Sequence, residues 1–239
     1  MGIRIFMILL LFSACSVMQA QVSNASITLE FEHFANNGIL HKYDSTLKGP
    51  GNEKYLVSKL KYYISHISLK GAEVHTDLTP RLIEVGKNQQ VHLSVPPGHY
   101  EHLEFMLGLD SLLHCSGAQS GDLDPLYDMF WTWNSGYVIF KLEGRYFSPD
   151  GKSGRLEHHL GGYREDQQIS KMIDFKLPEP LNIKEAESRT IKIGLDLDKY
   201  WAGKETVSPV SEPVITKPGK NAVRIAENFG GLFHLIIQP

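Results

Sequence analysis

From Ser26 to Phe34 apolar and polar side chains alternate, so that Ile27, Leu29, Phe31 and His33 share one face of an extended chain. Residues 55–69 carry the pattern on, with Leu56, Leu60, Tyr62 and Ile64 on one side. The same run also fits a helical spacing through Leu56, Leu60, Tyr63 and Ile67, but its β-branched and aromatic content favours a strand. Further strands are predicted over residues 91–95, 100–107, 137–143, 169–177, 189–197 and 231–237, and one short helix over 221–229. Gly49-Pro50-Gly51, Pro96-Pro97-Gly98, Ser148-Pro149-Asp150-Gly151 and Pro178-Glu179-Pro180 punctuate the series. Short strands joined by Gly/Pro turns, without alternating long helices, predict an all-β fold. The expected architecture is a single antiparallel β-sandwich domain with short helical insertions, spanning residues 22–239 without repeat or linker.

The first residues change the cellular picture. Residues 5–12 are almost wholly apolar and follow Arg4, the pattern of a secretory signal too short to span a bilayer. Two endings compete. Met18-Gln19-Ala20 offers a cleavage site that makes residues 1–20 the signal peptide, while Phe12-Ser13-Ala14-Cys15 resembles a loose lipobox that would leave Cys15 acylated. Both predict an exported protein, periplasmic or lipid-anchored to the cell envelope and not membrane-spanning. Losing Arg4 leaves 24 − 1 = 23 Lys+Arg against 27 Asp+Glu, a balance of −4 that opposes a nucleic-acid partner. Of the two cysteines only Cys115 lies in the body of the chain, so the mature domain has no intramolecular disulfide.

The densest chemistry is Met129-Phe130-Trp131-Thr132-Trp133-Asn134-Ser135-Gly136-Tyr137, which follows the acidic loop Gly121-Asp122-Leu123-Asp124-Pro125. Trp131 and Trp133 lie two apart, so an extended chain puts both indoles on one face. An indole N–H only donates, so either ring could wall a metal site but not ligate unless oxidatively opened. Met129 could offer a soft thioether or fill a gap. His33 sits on an apolar strand face, and His158-His159-Leu160-Gly161-Gly162 places adjacent imidazoles on opposite faces, so at most one enters a given site. His114-Cys115 is a weaker metal pair. Asp110, Asp122, Asp124 and Asp128 lack the ordered spacing of a calcium loop. No Gly-x-Ser-x-Gly elbow, His-Glu-x-x-His or phosphate loop occurs, and the chain reads as a non-enzyme.

Several of these stretches together resemble one family. They are Phe31-x-His33, the run Lys61-Tyr62-Tyr63-Ile64-Ser65-His66-Ile67-Ser68-Leu69, Gly98-x-Tyr100, Leu107-Gly108-Leu109-Asp110, the block from Gly121 to Tyr137, and His159-Leu160-Gly161. The chain is similar to the MbnP-type copper-binding proteins, with Trp-x-Trp-Asn-Ser-Gly-Tyr as the specific part. The resemblance implies a β-rich exported domain that holds or delivers copper. It implies His33 and His159 as ligands, Trp131 or Trp133 as a site wall or as a kynurenine made by a dihaem peroxidase-like partner, and Met129 and Asp124 as nearby supports. His66 departs from the family pattern, which carries Asn there. A different class of function, a cell-surface module binding a glycan or peptide on a platform of Trp131, Trp133 and Tyr137, would need both indoles exposed on one face.

Overall fold

The alternation of the first strand is reproduced residue by residue. In β1 (Ala25–Ala35) the side chains of Ile27, Leu29, Phe31 and His33 are buried while those between them face partly outward. The computed structural model describes residues 24–43 and 46–237, so the two signal-sequence endings, at Ala20 and at Cys15, lie outside the described residues.

Two sheets face each other. The first runs in the order β16 (Phe233–Leu235), β14 (Ser188–Asp196), β1, with β2 (Gly38–Ile39) and β7 (Gln90–Val95) both on the free edge of β1. The second runs β13 (Lys171–Ile183), β8 (Gly98–Leu107), β4 (Lys54–Gly71), β11 (Phe140–Phe147), β12 (Ser153–Leu160), β15 (Val214–Ile215). Three short strands, β3 (Leu47–Lys48), β5 (Val74–Asp77) and β6 (Arg81–Glu84), also pair with β4. The all-β sandwich expected from the sequence is what forms, although its strands are not all antiparallel. β1 runs parallel to β14 from Ser26 to Phe34, and β12 runs parallel to β15. Strands so far apart in sequence are not joined by a hairpin, so nothing local fixes their relative direction.

The inner faces meet in an aromatic cluster. Phe31, Tyr62, Phe105 and Phe233 approach one another edge-on, with centroids 5.3 to 6.5 Å apart. Edge-to-face geometry satisfies the ring quadrupoles, and each such pair adds about 0.5–1.5 kcal/mol beyond area burial. Among the described residues there are three short helices, α1 (Ser111–Cys115), α2 (Leu197–Trp201) and α3 (Lys220–Ala226). The last falls where a helix over 221–229 is predicted, ending early in a 3-10 turn at Phe229–Gly231.

β4 departs from simple alternation twice, and both departures matter. Opposite Glu143 and Gly144 the register slips, so Val57 and Leu60, three apart, both point inward. Leu56, expected on the inner face with Leu60, therefore falls on the other side and is half-buried. A bulge adds one residue to one strand, which reverses every assignment upstream of it. The second slip lies between Ser65 and Ser68, where His66 takes a left-handed φ of 51°.

Gly144 is the partner that makes the first bulge possible. A Cβ built there would lie 1.7 Å from the Leu56 carbonyl oxygen, closer than any side chain tolerates. Gly144→Val is expected to destabilise the protein by about 2 kcal/mol or more, which lowers Tm by roughly 4–8 °C at this chain length. A melting temperature equal to that of the parent chain, measured by circular dichroism, would show that the strands part without strain.

Candidate metal centre

The segment between β8 and β11 joins neither of the two large sheets. It carries α1, two 3-10 turns and a small hairpin of β9 (Phe130–Thr132) with β10 (Gly136–Tyr137), and it lies against the outer face of the second sheet. That face is polar. Lys59, Lys61 and Tyr63 alternate with the inward Leu60, Tyr62 and Ile64, and register places Lys141 and His159 beside Lys61. The Tyr63 hydroxyl donates to the Asp122 carbonyl at 2.9 Å, and Lys61 Nζ donates to the Tyr127 carbonyl at 3.0 Å.

Charges on this face form one network. The Lys141 ammonium is almost fully buried, pairs with Asp128 Oδ2 at 2.8 Å and also donates to the Asp128 carbonyl. Lys59 bridges Asp128 at 3.3 Å and Glu143 at 3.0 Å, while Lys61 reaches Glu84 at 3.4 Å. His159 joins by donating from Nε2 to Glu143 Oε1 at 2.9 Å. Burial, and then the neighbouring Lys141, hold the His159 imidazole below its usual pKa. The Glu143 carboxyl is also lowered, because its bonds to Lys59 and His159 outweigh the opposing effect of burial. The neutral imidazole has its lone pair on Nδ1, and a metal bridging Nε2 and Glu143 would take the place of the Nε2 proton.

Trp131 meets this network through glycine. A Cβ on Gly161 would fall 2.6 Å from Trp131 Cζ3 and 2.4 Å from the Tyr137 carbonyl oxygen, so only a bare backbone lets the indole settle there. Backbone bonds from Val138 to Met129 and from Ile139 to Leu160 hold the two stretches together. The Trp-rich block and the His159-Leu160-Gly161 motif are therefore in contact. Trp133, by contrast, is 76 % exposed and lies over Gly117, where a Cβ would be 3.1 Å from its ring. The two indoles rest on different glycines, Trp131 half-buried on Gly161 and Trp133 exposed on Gly117. Tyr137 is buried beneath Phe130 and His114, so the three-ring platform considered for a glycan or peptide is not assembled.

The other expected ligand lies elsewhere. His33 faces the inter-sheet core, its Nε2 3.0 Å from the Tyr62 hydroxyl. Tyr62 is in register with Phe140 and Phe140 with Leu160, so His159, one residue earlier, points out of the opposite face. The second sheet thus separates His33 from His159, and a copper ion held by both does not fit. Among the described residues no group of three or more His, Cys, Asp and Glu side chains is arranged to hold a metal. What remains on the Trp131 side is a pair of donors, His159 and Glu143. His33 Nδ1 is buried without a hydrogen-bond partner, and the residue borders a cleft also lined by His41, Glu30 and Glu32.

Most other sequence candidates have structural tasks. Asp124 caps the second 3-10 turn through Leu126 N–H at 2.9 Å, and Asp110 caps α1 through Leu113 N–H at 2.8 Å. Asp122 accepts from Leu82 N–H at 2.8 Å. Met129 is fully buried, as a gap filler would be. His114 and Cys115 cannot act as a pair, since α1 buries the first and exposes the second. His114 instead packs inside the insertion, where its Nδ1 accepts from Tyr137 N–H at 3.1 Å and its ring stacks on Tyr163.

Fold and face together define an all-β sandwich whose outer sheet surface is capped by a tryptophan-bearing insertion. The MbnP family profile matches residues 24–216, and the chain belongs to that family. Among solved structures, MbnP from Methylosinus trichosporium is similar at a TM-score of 0.52 and 15 % identity, covering 84 % of this chain and 88 % of that one. No curated protein sequence matches the chain.

Burial gives three imidazoles a common pH signature. His33, His114 and His158 are each lowered from 6.5 to about 4, chiefly by desolvation. Between those values the unfolded chain binds protons that the native protein refuses. Their contribution to stability is complete above about pH 6.5 and is lost as pH falls towards about 4. The urea midpoint is expected to be clearly lower at pH 5 than at pH 7.5, and equal midpoints would contradict three buried neutral histidines.

Proposed function

We propose that this MbnP-family protein is an exported copper-binding protein that holds or delivers the metal without turnover of its own, with His159 as its principal histidine. Family membership supports a copper-related role in general terms. One observation carries the finer reading: Trp131 packs on the glycine two residues past His159, on the sheet face where His159 meets Glu143. Imidazole is a strong donor for divalent copper, and carboxylate oxygen is an acceptable companion. Lys59 and Lys141 balance Glu143, and a cation bound there would take over the role of an ammonium.

Of the two tryptophans, Trp131 is the one suited to complete such a site. Oxidative opening of its ring to kynurenine by a dihaem peroxidase-like partner would supply an arylamine nitrogen and a carbonyl oxygen. Trp133, out in solvent and over Gly117, lacks the cover. Met129 and Asp124 support the hairpin rather than the metal.

Copper content of protein isolated from its own cell envelope tests the assignment. His159→Ala is expected to lose most of the metal and His33→Ala to retain it, because the second sheet lies between the two rings. Retention by His159→Ala would refute the site. The peptide containing Trp131 is expected to show the mass change of one carbon exchanged for one oxygen. An unaltered peptide would remove the kynurenine step and leave plain histidine binding in place.

A further inference from the structure

The inter-sheet core holds a second assembly that owes nothing to the outer face. Phe140 stacks on Tyr200 with centroids 5.2 Å apart and planes within 11°. Tyr200 meets Trp201 edge-on at 4.9 Å, and Trp201 meets Tyr55 at 5.0 Å. Both central rings come from α2, whose first turn is capped by the Asp196 carboxylate accepting from Asp198 N–H at 2.9 Å. Tyr200 and His158 are fully out of solvent. Trp201 lines a surface cleft with Asn36, Pro50 and Asp198.

Hydrogen-bond direction is fixed here without ambiguity. His158 Nε2 lies 2.6 Å from the backbone carbonyl of Glu212, which can only accept, so the ring proton is on Nε2. Nδ1 then bears a lone pair, and the Tyr200 hydroxyl, 2.6 Å away, donates to it. Burial pushes the Tyr200 phenol well above its ordinary range, so the hydroxyl keeps its proton at rest. A phenol locked to an imidazole by a short, buried hydrogen bond has a ready acceptor for its proton whenever an electron is removed. His159 is on the opposite face of the same strand and takes no part.

We propose that Tyr200 and His158 form a redox-active pair that stores one oxidising equivalent delivered through Trp201 from the cleft. An outer-sphere one-electron oxidant at the cleft takes an electron from Trp201, and Trp201 recovers it from Tyr200. As that electron leaves, the Tyr200 O–H bond breaks and the proton moves to His158 Nδ1. The products are a reduced oxidant, a neutral tyrosyl radical and an imidazolium whose Nε2–H remains on the Glu212 carbonyl. Return of one electron sends the proton back and restores the phenol. This holds whether or not copper binds at His159.

The test uses the full metal-free chain, photogenerated tris-bipyridyl ruthenium(III) as oxidant, and electron paramagnetic resonance of the frozen product. Wild type is expected to give a tyrosyl signal, and Tyr200→Phe, which keeps the ring and its stacking, to lose most of it. Trp201→Phe and His158→Gln are each expected to reduce the yield. A signal of full strength in Tyr200→Phe, arising from exposed tyrosines such as Tyr43 or Tyr127, overturns the proposal. A second reading needs no substitution: the wild-type radical is expected to carry one strong hydrogen bond from a nitrogen-bound proton in pulsed spectra. A radical without that coupling overturns the proposal equally.

Discussion

An ammonium buried as deeply as that of Lys141 must be met by negative charge or carbonyl dipoles, because the desolvation of an unpaired cation amounts to several kcal/mol. Asp128 supplies both, through its carboxylate and its backbone oxygen. It sits in a left-handed conformation at the end of the second 3-10 turn, so the contact pins the insertion at the point where the hairpin begins. With Asp128 held down, Met129 falls into the core and Trp131 reaches Gly161. The position of the tryptophan on Gly161, two residues past His159, is thus tied to the matching of one lysine charge.

The two faces of the second sheet have been given different chemistry by simple alternation. Outward residues of β4, β11 and β12 form an ionic layer under the insertion, while inward ones build an aromatic core. Adjacent histidines illustrate the division. His159 belongs to the ionic face and pairs with Glu143; His158 belongs to the core and bridges Tyr200 to the Glu212 carbonyl. The proposed copper site on one side and the phenol–imidazole pair on the other can coexist in adjacent residues because a strand separates their side chains by its own thickness.

Bulges set the limits of that alternation. The slip opposite Gly144 moves Leu56 off the inner face and lets Val57 take its place. The slip at His66 bends β4 where its pairing shifts, and the ring of His66 then lies 3.3 Å from Asp110 at the start of the insertion. The extra histidine, which departs from the pattern the resemblance suggests, acts in this structure as a clasp on α1 rather than as part of the Trp131 face.

Local patterning was sufficient for much of the fold. The longer strands β1, β4, β7, β8, β11, β13 and β14, the inward set Ile27, Leu29, Phe31 and His33, the short terminal helix and the opposite facing of His158 and His159 follow from period and composition, because each depends only on neighbours in the chain, whereas β12 gave no such pattern. The resemblance of the 129–137 block and of His159-Leu160-Gly161 also pointed to two stretches that do meet. Other features required the folded chain. The parallel pairing of β1 with β14, the bulges, the burial of His114 and the placement of His33 behind the sheet depend on partners distant in sequence. So does the Tyr200–His158 bond, joining residues whose periodicity gave no sign of each other. An alternating pattern reveals which side of a strand a residue occupies, but only packing of one sheet against another decides what stands opposite it.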